Sequence, residues 1–98
     1  MNPQQAISAV SLATGTPEDV IAGPTRTREA SECRFMVMRL LKTARPRMSA
    51  LALAQAVNRM DHATGIHGLR RADLLAMIEP TFAAALERVR SGDHAHRD

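Results

Sequence analysis

The chain has 98 residues, 45% of them hydrophobic, which suits one small domain with a single core. Trp and Tyr are absent and the only Phe residues are Phe35 and Phe82, so the core is expected to be aliphatic, drawn from Leu, Ile, Val, Ala and most of the six Met; packed helices fit this better than a β-sandwich. The single cysteine, Cys33, excludes an intrachain disulfide framework and a cysteine-rich zinc cluster. A reducing cytoplasm is the simpler setting. Met1-Asn2-Pro3-Gln4-Gln5 has no basic region leading into an apolar run, and no apolar stretch approaches the roughly eighteen residues of a membrane span, so a soluble, unexported protein is expected.

The net charge of +3 is unevenly placed. Residues 1–25 hold no Lys or Arg, and residues 72–98 set Arg88, Arg90 and Arg97 against five acids. The middle, residues 26–71, carries ten basic residues (Arg26, Arg28, Arg34, Arg39, Lys42, Arg45, Arg47, Arg59, Arg70 and Arg71) against Glu29, Glu32 and Asp61, a net of +7. That block is the candidate phosphate-binding face.

In chain order, Asn2-Pro3 is a cap followed by a residue tolerated in a first helical turn, and Ala6, Ile7, Val10 and Ala13 supply an apolar stripe up to Gly15. Thr16-Pro17-Glu18-Asp19 repeats the signal, with Thr16 as the capping hydroxyl, for a short second helix turning Val20 and Ile21 inward; Gly23-Pro24 stops it. A long third helix is predicted from Arg28 to Ala44, with Cys33, Met36, Val37, Leu40 and Leu41 at helical spacing and Arg34, Arg39 and Lys42 elsewhere on its surface. Arg45-Pro46-Arg47 breaks the pattern, and Ser49 caps a fourth helix from Ala50 to Val57. Asn58 suits a left-handed turn and Asp61 caps a fifth helix, so the two helices match a helix-turn-helix. A sixth helix, about Pro80 to Arg90, turns Phe82, Leu86 and Val89 inward. Residues 1–90 are read as one domain, an all-α compact bundle of about six helices, and residues 91–98 as a polar, frayed tail.

A helix in the major groove reads base edges with its first turns, and Asp61, His62, Ala63, Thr64 and His67 supply the required acceptor, donors and methyls; Arg70 and Arg71 reach toward phosphates. The competing reading is that Asp61 serves only as a cap and the arginines only as a solvated face.

The run Arg26-Thr27-Arg28-Glu29, then Arg34, Met38 and Leu40, then Ser49, and Asp61-His62-Ala63-Thr64 with His67 resembles the C-terminal DNA-binding domain of the bacterial replication initiator DnaA, over about residues 5–90. The family has an Arg-x-Arg-Glu segment before its long helix and an Arg-Asp-His-Ser/Thr-Thr-Val stretch at the end of a tight turn; one extra residue falls here between Arg45 and Met48. The resemblance implies a Trp-repressor-like helical fold and double-stranded DNA as partner. It assigns Arg26 to the minor groove, where narrow A·T-rich grooves favour a cation, against the plainer reading of a loop charge. Arg28 belongs to the same upstream motif, Arg34 and Lys42 match long-helix residues near the DNA backbone, Ser49 opens the fourth helix, and Asp61, His62, Ala63, Thr64 and His67 match the major-groove turn.

The departures bear on what is read. Met60 stands where the family has Arg, Ala63 replaces Ser or Thr, Leu51 replaces Pro, and Gly65 replaces a β-branched residue. A changed target sequence is expected. Gly65 and Gly68 each lower helix propensity by roughly 1 kcal/mol relative to Ala, so the recognition helix is expected to firm up only on DNA.

There is no Gly-x-x-x-x-Gly-Lys-Ser/Thr loop, so the initiator's ATPase is excluded. His62 and His67 are poorly spaced for zinc, His94-Ala95-His96 falls in the tail, and no Ser-His-Asp or Cys-His arrangement is arguable, Cys33 reading as a buried helix residue. The expectation is a non-enzymatic, cofactor-free and metal-free bacterial transcription regulator, cytoplasmic and nucleoid-associated, off the membrane, with RNA polymerase or another regulator as protein partner. Genes of mobile elements or gene-transfer agents, where such domains occur apart from the ATPase, are the suggested targets. The alternatives are a replication modulator competing for initiator boxes and a helical protein-interaction module that has lost DNA binding, with Met60, Ala63 and Leu51 as its apolar patch.

Overall fold

A computed structural model describes residues 1–92, and these form an all-helical domain of six helices. The expected tail, with His94 and His96, lies outside the described residues from position 93 onward. The helices are α1 (Pro3–Thr14), α2 (Glu18–Ala22), α3 (Arg28–Ala44), α4 (Ala50–Ala56), α5 (His62–Ile78) and α6 (Pro80–Ser91). None of them is long and apolar enough to cross a membrane.

Local chemistry sets most of the boundaries. Asn2 and Gln5 form a reciprocal capping box on α1, which ends at Gly15 in the left-handed conformation at φ 80°. Thr27, Ser49 and Asp61 each accept a hydrogen bond from a free backbone N–H at the start of α3, α4 and α5. Thr16 does not cap α2 as expected. The helix begins after Pro17, whose carbonyl accepts from Val20 and Ile21, and no side chain caps it.

α3 is the spine, in contact with all five other helices. Cys33, Met36, Val37, Met38, Leu40 and Leu41 are buried along it. Ala6, Ile7 and Val10 of α1, Ile21 of α2, Leu53 of α4, Ala72 and Leu75 of α5, and Phe82, Leu86 and Val89 of α6 complete one core. Burying side chains of this size stabilises the fold by about 1.5–3 kcal/mol each. Fewer methionines take part than expected: Met36 and Met38 are buried and Met48 packs at the edge, but Met1, Met60 and Met77 are exposed.

α5 runs unbroken through Gly65 and Gly68 despite their low helix propensity. Both glycines are buried contact points. A Cβ on Gly65 would overlap the Ala50 carbonyl oxygen and stand 2.7 Å from its carbon, so this glycine lets α5 touch the α4 backbone. A Cβ on Gly68 would meet the Met38 thioether, with its sulfur at 2.8 Å, and the Phe35 ring at 3.5 Å. Packing therefore offsets the propensity cost.

Candidate nucleic-acid interface

α4 and α5 are joined by a turn over residues 57–61 in which Asn58 alone among the described non-glycine residues has positive φ, at 60°. Left-handed backbone suits Asn, whose short amide can bond locally or across. Here the Asn58 side-chain amide donates to the Ala22 carbonyl at 2.8 Å, tying the turn to the end of α2.

Beyond the turn, Asp61 Oδ1 accepts from the Ala63 N–H at 2.9 Å, leaving Oδ2 free at the start of α5. His62, Ala63, His67 and Arg70 are exposed on α5, while Thr64, Ile66 and Arg71 are half-buried. The His67 ring stands edge-on to Phe35, with centroids 5.7 Å apart and planes at 80°. Phe35, absent from the sequence-based candidates, fixes the orientation of one of them.

Arg26, Thr64 and His67 come together in a cleft of about 310 Å³ that also includes Ser31, Phe35 and Arg59. No carboxylate lines it. Arg34 forms part of its wall, but it is not the surface cation expected from its place on α3. It is 6% exposed, its Nε donates to the Ile21 carbonyl at 2.8 Å, and its Nη2 donates to Val20 and Gly23 carbonyls at 2.9 Å each. The planar fork closes the C-terminal end of α2, where helix carbonyls lack intrahelical donors. Burial, and then the charge of Arg59, push the Arg34 guanidinium below its usual range.

Arg59 makes a matching contact from the turn: Nη1 donates to the Val57 carbonyl at 2.9 Å and Nη2 to Gly23 at 3.1 Å. Sequence reasoning placed Arg59 in the basic block without a site. Its proximity to Gly23, 36 positions away, leaves no periodic signal.

The other candidates divide. Lys42 spends two donors on the Pro46 and Met48 carbonyls, at 2.8 and 2.9 Å, strapping the loop before α4, with one N–H left over. Ser49 is exposed and its hydroxyl accepts from Ala52 at 3.1 Å. Arg70 and Arg71 form no ion pair or side-chain hydrogen bond among the described residues. Arg28 lies apart: its Nε pairs with Glu32 at 3.0 Å and its Nη2 with Glu79 at 3.7 Å. Glu79 follows the last residue of α5, about 25 Å along the helix from Asp61. The hydrogen bond to Glu32, then the charges of Glu32 and Glu79, hold Arg28 above the usual guanidinium range. Arg39 is likewise engaged, with Asp73 at 2.8 Å.

The exposed face of α5 changes character along its length, from His62, Ala63 and His67 to Leu74, Met77 and Ile78. Polar groups and methyls thus stand beside the arginine cleft, and bare apolar side chains stand at the far end. No model of a known protein family matches the chain, and no curated protein matches it.

Proposed function

We propose that the chain binds double-stranded DNA sequence-specifically and acts as a transcription regulator rather than an enzyme. In this reading α4 and α5 are a helix-turn-helix, the first turns of α5 enter the major groove, and Arg26 enters the neighbouring minor groove. The observation that carries it is the exposed polar start of α5 beside a cleft containing Arg26, Arg34 and Arg59 and no carboxylate. Such a cleft concentrates positive potential where a duplex backbone passes. The resemblance to the initiator's DNA-binding domain supports the same face. A cytoplasmic, nucleoid-associated location and a contact with RNA polymerase or another regulator go with this proposal.

Selection of duplexes from a random library by the purified chain, followed by anisotropy titration at several salt concentrations, tests it. An enriched sequence bound with a steep fall in affinity as salt rises is the expected result. No duplex binding at low salt would sink the reading. Preference for initiator boxes over all other enriched sites would instead favour a replication modulator.

Met60, 77% exposed, and Leu51, 38% exposed, favour a second reading as a protein-interaction module. Salt-insensitive capture of a protein partner, lost on Met60→Ser, is the outcome that would select it.

A further inference from the structure

In B-DNA a minor groove and the adjacent major groove are separated by one sugar–phosphate strand. A protein that places one side chain in the first and a helix in the second must straddle that strand. Between Arg26 and the Thr64–His67 segment of α5 lies the cleft that also contains Arg59. Resting on the DNA-binding reading, we propose that this cleft seats the phosphodiester strand between the two grooves and that Arg59 contacts its phosphate.

Three observations converge on Arg59. First, Arg34 and Arg59 donate to the same Gly23 carbonyl, at 2.9 and 3.1 Å, which holds two like charges within about 6 Å of each other. Second, no carboxylate lines the cleft, and five of the described ones are engaged elsewhere: Glu32 and Glu79 with Arg28, Asp73 with Arg39, Glu18 with Gln4, and Asp61 with the start of α5. The arginine group is therefore electrostatically uncompensated within its cleft, the condition an incoming oxyanion relieves. Third, Arg59 has donors to spare. A guanidinium carries five N–H groups, and two of Arg59's are committed, both to backbone carbonyls that fix its position.

Arg34 and Arg59 have different parts. Arg34 is buried and commits three bonds to α2, so it positions Gly23 and adds charge from behind. Arg59 is half-buried and lines two adjoining clefts, each of which also contains Arg26. It is the group placed to touch the strand.

The test is a methylphosphonate scan on a duplex enriched by the wild-type chain, replacing one phosphate at a time by a neutral group and titrating wild type and Arg59→Gln in parallel. At one or two adjacent positions the wild type is expected to lose about tenfold in affinity, while Arg59→Gln, already weaker, loses little more. Its slope of log affinity against log salt should be shallower by roughly 1. Equal losses for both proteins at every position, with an unchanged slope, would overturn the assignment of Arg59 and leave DNA binding standing. If no duplex binds, the DNA reading fails and inorganic phosphate becomes the probe: a shift of the Arg59 Nε–H resonance still supports an oxyanion cleft, and no shift overturns it. That resonance in the unmodified chain also reports contact with duplex directly, so the conclusion does not depend on Arg59→Gln folding.

Discussion

Two clefts lie on opposite faces of α3 and differ in how their charges are answered. Glu29, Glu32, Cys33 and Met36 line one, with Glu79 and Arg88 opposite; Ser31, Arg34, Phe35 and Met38 line the other, with Arg59 and His67 opposite. Each set repeats at i, i+3, i+4 and i+7, and the sets are offset by two positions, about 200° around a helix. In the acidic cleft, Glu32 and Glu79 meet a cation at once, Arg28, as side chains at an open rim can. In the basic cleft, Arg34 and Arg59 are held by uncharged carbonyls, which fix their positions without cancelling their charge. Arginines fixed by carbonyls keep their field, whereas an arginine on glutamates loses it to its partners.

Arg34→Met should break this comparison most severely. It removes the donors for the Val20, Ile21 and Gly23 carbonyls, and a loss of about 3 kcal/mol in unfolding free energy is expected from urea denaturation. A loss below about 1 kcal/mol would mean that the basic cleft is not built on Arg34.

Gly65→Ala comes next, because the new methyl must push α5, which contributes Thr64 and His67 to that cleft, from the α4 carbonyl. About 2 kcal/mol of destabilisation is expected. Gly68→Ala should cost less, since the flexible Met38 side chain can yield and Ala regains helix propensity. Equal melting temperatures for the two variants would contradict the packing account.

Arg26→Ala sharpens the functional side. Duplex affinity should fall about tenfold on sites with A·T-rich flanks, and less on G·C-rich ones, as measured by anisotropy. An unchanged flank profile would remove the minor-groove role. Arg28→Ala is the smallest case: its unfolding midpoint should match wild type, and its duplex affinity should stay within about twofold. A large loss of affinity would show that the ion pairs to Glu32 and Glu79 open on DNA.

The helix map was legible because its signals are local. Asn2, Ser49 and Asp61 sit at the caps expected of them, and the apolar periodicity of α3 and α6 names most of the residues that are buried. The basic cleft was legible only in part. Charge counting gives Arg28, Arg34 and Arg59 equal standing, yet one is paired at a rim, one is buried on α2 and one guards the turn. What separates them is contact with residues 11 to 51 positions away, which no periodicity encodes. The packing role of the α5 glycines was illegible for a related reason: propensity describes a helix alone, and Gly65 is placed for its neighbour.

The close seating of Gly65 on Ala50 has a consequence for how such a chain can diversify. Within the opening turns of α5, the position that sets the joint between the two helices is buried and has no room for a side chain, while His62, Ala63 and His67 are exposed. Scaffold and surface are thus assigned to different residues a few ångströms apart. A lineage, or a designer, can rewrite the outward three without refolding the joint, and libraries randomised at those positions should return mostly folded members.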